Sequence, residues 1–474
     1  MKILVLNPSY GRDFCRSARW AARSRGRVQR HPDWLLIAVG VLERGGHTVK
    51  FIDAAARNMD LPEVLAEAGT FAPELAVVHT TTPSIYSDIE HAAALKAAFS
   101  CRTVLVGPHV TALPAETFAL AKGAADFIAR GEYDYQLLDL ADGRDPASIP
   151  GLSRQAVGGT VNNPPGEPVD VDSLPFPAWR HIDPSWYKDI GKRLPFLTLI
   201  SGRGCPGRCT FCRDTSEAMC GRKVRLRSPA AIVDEMEYDL RLFPGIREIM
   251  FETDTMTANP GHVRELCGEM LRRGLKITWS CNTRVDMDLG LLPLMRRAGC
   301  RMLMVGFEFG TQAALDAVKK GVTLEQSRRF AAEASRLGFT LHGCFMIGAP
   351  GETKASALAT IAFAKSLPLD TVQFSGICVY PGTELYDWAK SNGYLVPRDW
   401  REWVSPEKEQ ATLLSYPGLT KEEIDELIDT GLKEFYLRPA QMLRMLKNIR
   451  SLGDVLRKLH GLRSFSQYLS SGKK

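Results

Sequence analysis

Short apolar runs alternate with amphipathic stretches along most of the chain. KILVLN (2–7) reads as a strand, followed by a basic loop. A helix over 33–44 starts beside Pro32-Asp33 and stops at Gly45-Gly46. HTVKFID (47–53), ELAVVHT (74–80), TVLVG (103–107) and DFIAR (126–130) are further strands, with helices over 61–69 and 86–99. Strands that are apolar at nearly every position are buried on both faces, as in a parallel sheet covered by helices. The pattern predicts an α/β, Rossmann-like domain over 1–145. Ligands of such sheets sit at the carboxyl ends of the strands. Those ends here carry Thr80-Thr81-Thr82, Gly107-Pro108-His109 and Gly131-Glu132. Small residues there also serve tight turns, so this signal alone leaves both readings open.

Residues 146–190 break the rhythm. NNPPGEP (162–168) and DSLPFPAW (172–179) are rich in Pro and Gly, and the segment reads as a linker packed by Phe176 and Trp179. Over 191–400 the alternation returns. Strands are predicted at 194–201, 247–251, 276–280, 301–308, 340–348 and 371–376, and helices at 229–242, 260–273, 288–298, 324–337 and 354–366. Six βα units are two short of a closed barrel, so an open (β/α)6 barrel or a doubly wound sheet is expected. Residues 401–474 read as a basic helical region. A helix over 419–437 has a Thr cap and an acidic first turn, and Pro439 breaks it. The stretch 440–460 then gathers Met442, Leu443, Leu446 and Ile449 on one side. That side is expected to pack on the domain core; the alternative is contact with a membrane surface.

The chain has 474 residues, 45% hydrophobic and 24% charged, which excludes a disordered or low-complexity protein. No uncharged apolar run approaches the length of a membrane span, and the first apolar run is too short for a signal-peptide core. A cytoplasmic protein is therefore expected, with its eleven cysteines as thiols or metal ligands. The net charge of +6 is unevenly spread. Residues 433–474 hold ten Lys/Arg against two Asp/Glu, and residues 12–30 hold seven Arg against one Asp. Each segment can meet an anionic partner or form a solvated face. Tyr10, Arg12, Arg16, Arg19 and Trp20 follow the first strand and are candidates for a substrate entrance.

One loop concentrates the chemistry. After strand 194–201 the chain reads Ser-Gly-Arg-Gly-Cys205-Pro-Gly-Arg-Cys209-Thr-Phe211-Cys212. Three thiolates can hold three irons of a four-iron cluster and leave the fourth open. Gly204 and Gly207 let the loop wrap, and Arg203 and Arg208 can offset the cluster's charge. A zinc site would need Cys220 as a fourth ligand and lacks the usual paired knuckles. Most other cysteines fall in apolar strands or helices and read as small core residues. Cys15 and Cys220 lie in loops and have no assigned role.

The Cys205-x3-Cys209-x-Phe211-Cys212 motif resembles that of the radical S-adenosylmethionine (SAM) family. FETDT (251–255), CNTRVD (281–286), GFEFGTQ (306–312) and FMIGAPGET (345–353) are similar to other segments of that family. VGPHVTALPAE (106–116), ARGEYDYQ (129–136) and DSLPFPAW (172–179) resemble its subgroup with an N-terminal cobalamin (B12)-binding domain. FYLRPAQML (435–443) resembles the anaerobic magnesium-protoporphyrin monomethyl ester cyclase type. The resemblance covers about 1–400.

The resemblance implies a [4Fe-4S] cluster on Cys205, Cys209 and Cys212, with SAM on the open iron. One of Glu252, Thr253 and Asp254 would bind the SAM amino group, Arg284 its carboxylate, and Glu308 its ribose or amino group. Gly348, Pro350 and Gly351 would place backbone near the adenine. An internal Glu308–Arg284 ion pair is the competing reading for those two residues. Thr80, Thr81, Thr82, Gly107, His109, Gly131 and Glu132 would line a cobalamin site. No D-x-H-x-x-G signature is present, so a cobalamin without a histidine ligand is expected, with His109 a polar contact.

The implied activity is modification of an unactivated carbon, by methyl transfer or by oxidative cyclisation. A non-catalytic cobalamin and iron–sulfur sensor is the alternative from another class. The implied partners are a small-molecule substrate, anionic or lipid- or tetrapyrrole-like, and an external one-electron donor such as a flavodoxin or ferredoxin. Peripheral membrane contact is compatible with the basic tail. No RNA-binding domain is recognisable.

Overall fold

The computed structural model describes residues 1–17, 20–212 and 220–447. It divides into two compact units. The first joins Met1–Asp189 to Arg398–Gln410; the second holds most of 190–397 and the chain from Ala411 onward.

The first unit is built on β1 (Lys2–Asn7), β4 (Thr48–Asp53), β5 (Leu75–His79), β6 (Arg102–Val106) and β7 (Phe127–Ala129), with two later strands, β8 (Leu152–Ala156) and β9 (Gly159–Asn162). Their order is β4-β1-β5-β6-β7-β8-β9. The first five are parallel, with Val5 opposite Phe51 and Val77 opposite Val104. Leu4, Leu6, Ile52, Val78, Leu105 and Ile128 form the core between sheet and helices. The last two strands are antiparallel and lie in the segment expected to be a linker. They escape the sequence pattern because β9 carries no buried residue, and Val157 stands fully exposed at the hairpin tip.

The basic loop after β1 folds as an antiparallel hairpin, β2 (Phe14–Arg16) with β3 (Ala21–Arg23). Phe14, Ala21 and Ala22 pack with Val404. Segment 398–410 also brings Asp399 to the Tyr86 hydroxyl (3.0 Å) and the Lys408 ammonium to within 4.0 Å of the Tyr10 ring centroid.

In the second unit, β10 (Phe196–Leu199) begins a six-stranded sheet. A small antiparallel pair, β11 (Gly202–Arg203) and β12 (Arg225–Leu226), stands apart from it. The sheet continues with β13 (Glu248–Phe251), β14 (Thr278–Thr283), β15 (Cys300–Glu308), β16 (Thr340–Ile347) and β17 (Thr371–Gly376). All six strands are parallel and lie in chain order. A doubly wound sheet reverses direction after its first strands; this one never reverses. It is an open (β/α)6 barrel whose end strands, β10 and β17, do not pair with each other.

Strand parity separates its two faces. In β16, Leu341, Gly343, Phe345 and Ile347 are buried, whereas Thr340, His342, Cys344 and Met346 are half-exposed. Phe345 stacks between Phe307 and Phe374, at 5.5 and 5.4 Å, in the layer under the helices.

Helix Lys421–Tyr436 starts at a capping box between Thr420 and Glu423 and buries Ile424, Leu427, Ile428, Leu432 and Phe435. Helix Pro439–Lys447 follows. Its orientation is opposite to expectation. Gln441 and Arg444 face the protein, and Met442, Leu443 and Leu446 face outward. Residues 448–460 of the expected apolar side lie outside the described residues. No helix among the described residues is long and apolar enough to cross a membrane.

Candidate active site

The cysteine loop leaves the carboxyl end of β10 and is anchored at several points. Thr210 donates its N–H to the Val318 carbonyl (3.1 Å) and accepts the Leu385 N–H (2.9 Å). Gly204 adopts φ +89°, a conformation that strains any residue with a Cβ. The FETDT segment after β13 holds the front of the loop. The Thr253 hydroxyl oxygen accepts the Ser201 N–H at 2.7 Å, and the Asp254 carboxylate accepts the Gly204 N–H at 3.1 Å. Thr255 Oγ1 lies 3.0 Å from Cys205 Sγ. Cys205 and Cys209 are buried; Phe211 and Cys212 are half-buried.

Cations face these thiols. Burial pushes the Cys209 thiol up, Lys320 and Arg284 pull it back, and Glu308 and Cys205 add to the rise. Arg284 Nη1 approaches Cys209 Sγ at 3.9 Å. Three thiols spaced along one glycine-bearing loop, with two cations beside one of them, are a donor set that fits a multi-iron cluster.

Arg284 and Glu308 both sit at strand ends but do not pair with each other. Arg284 binds the Asp286 carboxylate through Nε and Nη2 (2.9 and 2.8 Å) and donates to the Lys320 carbonyl (2.9 Å). Glu308 binds the Lys320 ammonium at 2.6 Å, with both side chains nearly buried. Burial pulls Lys320 down, but Glu308 and Cys209 outweigh it and hold its pKa above the ordinary value. Glu308 has φ +65°, rare outside glycine and asparagine. Its carboxylate lies over Gly306, where a Cβ would collide with it. Lys320 escaped the sequence reading, because nothing in its own segment marks it. It comes from the turn after helix Gln312–Ala317 and meets Glu308 only in the fold.

After β16, Gly348 has φ +103° and opens a tight loop. Glu352 closes it by accepting the Gly348 and Ala349 N–H groups at 2.6 and 3.1 Å. The Tyr416 hydroxyl donates to the Gly348 carbonyl at 2.9 Å. Burial raises the Glu352 pKa to about 7, despite the two N–H bonds that lower it. Pro350 stands half-buried in this loop.

In the first unit, the seven residues singled out earlier gather at the carboxyl ends of β5, β6 and β7. Thr80, Thr81, Thr82 and His109 are each about 1% exposed or less. Several are bonded within the protein. Thr80 Oγ1 donates to the Val106 carbonyl (2.9 Å), and Thr81 Oγ1 lies 2.6 Å from Ser84 Oγ. Gly131 donates its N–H to Thr111 Oγ1 (3.0 Å), and the Glu132 carboxylate accepts the Val169 N–H (3.0 Å). The His109 ring meets Trp400 edge-on, with centroids 5.0 Å apart. Gly107, at φ +119°, lets the Thr80 carbonyl approach where a Cβ would stand.

Arg16 does not line an entrance. Its side chain is fully buried, 3.0 Å from the Asp88 carboxylate, and it donates to Ser84 Oγ and the His79 carbonyl.

The half-exposed face of the barrel strands supplies residues that motif reading missed. Asn282 on β14, His342 and Cys344 on β16, and Gln373 on β17 alternate with buried neighbours. Cys344 is thus not the core residue expected. Cys267, Cys281 and Cys300 are, and burial raises the Cys267 thiol to about 12. The alternation of TLHGCFMI was the available signal.

Comparison with known proteins agrees with this geometry. Residues 199–364 match the radical SAM superfamily. An uncharacterised methyltransferase of Pyrococcus horikoshii is 30% identical over 408 residues, covering 85% of this chain and 87% of the relative. The anaerobic magnesium-protoporphyrin IX monomethyl ester cyclase of Rubrivivax gelatinosus is 28% identical over 410 residues, 81% of this chain and 69% of the cyclase. Among solved structures, the radical SAM methyltransferase TsrM of Kitasatospora setae, with cobalamin and a [4Fe-4S] cluster bound, superposes with a TM-score of 0.72. It shows 18% identity, and 99% of each chain is covered. The cobalamin-dependent radical SAM enzyme OxsB gives 0.62 at 16% identity, over 91% of this chain and 61% of OxsB.

The chain is a radical SAM enzyme. Its fold, a Rossmann-like domain and an open barrel, is the one seen in TsrM and OxsB.

Proposed function

We propose that this enzyme modifies an unactivated carbon of a small molecule, by methyl transfer with cobalamin as second cofactor. The observation that carries the reading is the cysteine loop, fixed by Thr253 and Asp254 and faced by Lys320 and Arg284. When bound, the cluster supplies the electron that cleaves SAM into a hydrogen-abstracting radical, and cobalamin supplies the methyl carrier.

The chain's own residues then bind and orient. Cys205, Cys209 and Cys212 hold the cluster, with Phe211 beside it. The FETDT segment at the end of β13, with Glu252, Thr253 and Asp254, is the one we assign to the SAM amino group. Arg284 meets the SAM carboxylate while Asp286 keeps its guanidinium in place. Glu308, steadied by Lys320, takes the ribose. The 348–352 loop, with Gly348 and Pro350, offers backbone to the adenine. The strand ends with Thr80, Thr81, Thr82, Gly107, His109, Gly131 and Glu132 are the cobalamin crevice. Their polar groups, collected at the carboxyl edge of a parallel sheet, suit that use. The half-exposed barrel face, with Asn282, His342 and Gln373, receives the substrate.

A second reading, oxidative cyclisation of a tetrapyrrole-like substrate, draws support from the cyclase relative. The substrate is anionic or lipid- or tetrapyrrole-like, the electron donor is of the flavodoxin or ferredoxin kind, and peripheral contact with a membrane accompanies the work.

The test is anaerobic purification with cobalamin supplied, then iron, sulfide and cobalt quantitation. About four irons and one cobalt per chain are expected. Replacing Cys205, Cys209 and Cys212 by Ala should remove the iron and leave the cobalt. Iron without cobalt would refute the cobalamin assignment. Turnover giving both S-adenosylhomocysteine and 5′-deoxyadenosine would mark methyl transfer; 5′-deoxyadenosine alone would favour cyclisation.

A further inference from the structure

The cysteine loop shares one wall with a cleft of about 440 Å³ in the second unit. Pro206, Val224, Leu226, Ala258, Asn259 and Pro260 line it. Pro206 directly follows Cys205, Val224 and Leu226 belong to the segment of β12, and the other three open helix Pro260–Arg272. The lining is apolar except for Asn259. That side chain is occupied as the helix cap, accepting the His262 N–H at 3.1 Å. Such a lining does not orient a small polar ligand.

The cleft lies against a cluster ligand from two sides. Pro206 is exposed, while Cys205 beside it is 8% exposed. Thr255, whose Oγ1 is 3.0 Å from Cys205 Sγ, leads directly into the turn that carries Ala258.

Unpaired cations flank it. Arg208 stands two positions after Pro206, and Arg222 and Lys223 run into Val224. All three residues are exposed, and none makes an ion pair among the described residues. Neither the lining nor the stretch 220–228 contains an Asp or Glu.

An apolar centre with a charged rim is the anatomy of a protein contact. Electron-transfer encounters are among the smallest of these, and unpaired cations attract an acidic partner and guide its approach. Electron transfer slows steeply with distance, so a carrier serving the cluster must come close to it. RNA or a lipid headgroup would use the cations but has no need of the cluster ligand.

We infer that this cleft, with Arg208, Arg222 and Lys223 about it, docks an acidic one-electron carrier protein against the cysteine loop. The inference rests on the cluster reading above and adds the place where the electron enters. The carrier loses one electron and the cluster gains it; no bond forms or breaks.

The experiment compares the holoenzyme with its Arg222→Glu/Lys223→Glu variant. The probe is flavodoxin, an acidic one-electron carrier. It is used oxidised for binding by surface plasmon resonance, and reduced to its hydroquinone for 5′-deoxyadenosine formation from SAM. The variant should bind flavodoxin on the order of ten-fold more weakly, and raised salt should weaken binding by the parent. The variant's 5′-deoxyadenosine rate with limiting flavodoxin should fall by a similar factor. With dithionite, a small reductant that needs no docking, the two rates should match, and iron content should be unchanged. A variant that binds and turns over with flavodoxin like the parent overturns the docking site. So does a variant equally slow with dithionite, since the defect would then lie in the cluster. So does a holoenzyme that binds RNA through these residues but not flavodoxin. A parent that forms no 5′-deoxyadenosine with either reductant refutes the cluster reading on which the inference rests.

Discussion

Lys320 illustrates how a site residue can be silent in sequence and decisive in the fold. Its ammonium is shared between Glu308 and the neighbourhood of Cys209, in nearly complete burial. Removing one partner of a buried pair leaves the other charge uncompensated, at a cost of about 3–5 kcal/mol. Lys320→Met should therefore lower stability by that order in urea unfolding, with Lys320→Met/Glu308→Gln regaining part of the loss. Equal stabilities for parent and single variant would contradict the pairing. Glu352 makes a pH-dependent prediction. Its folded pKa of about 7 lies above the ordinary carboxylate value of 4.5, so the folded state binds the proton more tightly. Stability from this group is then full below about 4.5 and lost as pH rises through about 7. Glu352→Gln, which mimics the protonated form, should match the parent near pH ~5 and exceed it near pH ~8.5, read from unfolding midpoints at both. The three cysteines were legible because they share one loop. Glu308–Lys320 was not, because a partner twelve positions away is brought in by a helix and a turn.

At the scale of the element, strand parity separates folding from function. Phe345 belongs to the buried layer between Phe307 and Phe374, and Phe345→Ala should cost about 3–5 kcal/mol. Gln373, on the other face of β17, is exposed. Gln373→Trp should change stability by less than about 1 kcal/mol. It should nonetheless obstruct substrate, so that SAM cleavage continues while product falls; unchanged product formation would remove this face from the proposed substrate site. The apolar periodicity sufficed to predict the βα units, since each strand and helix owes its pattern to burial. It did not find β8 and β9, which border the sheet with few buried positions. For helix 439–447 it found the apolar side but assigned it inward, because periodicity tells which residues share a side and not which side the protein takes.

At the scale of the molecule, the division into units is not a division of the chain into consecutive pieces. Segment 398–410 leaves the second unit and completes the first, covering Phe14, Ala21 and Ala22 with Val404 and meeting His109 with Trp400. A fragment ending at Asp189 should therefore bind a hydrophobic dye and aggregate, and adding the 398–410 peptide should suppress both. A soluble, dye-silent fragment would show the cover to be dispensable. No local pattern announces such a return, because Trp400 and Val404 look like any loop aromatic and aliphatic until their partners, His109 and Phe14 far earlier in the chain, are known.

This return of the chain bears on descent. Single-crossover recombination between relatives, cut anywhere in 146–190, would bring a foreign N-terminal domain under a native 398–410 strap, with Trp400 and Val404 facing residues they had not diverged with. Inheritance of the two pieces is thereby tied, and the N-terminal domain travels with a stretch of the gene that codes for its cover more than two hundred codons downstream.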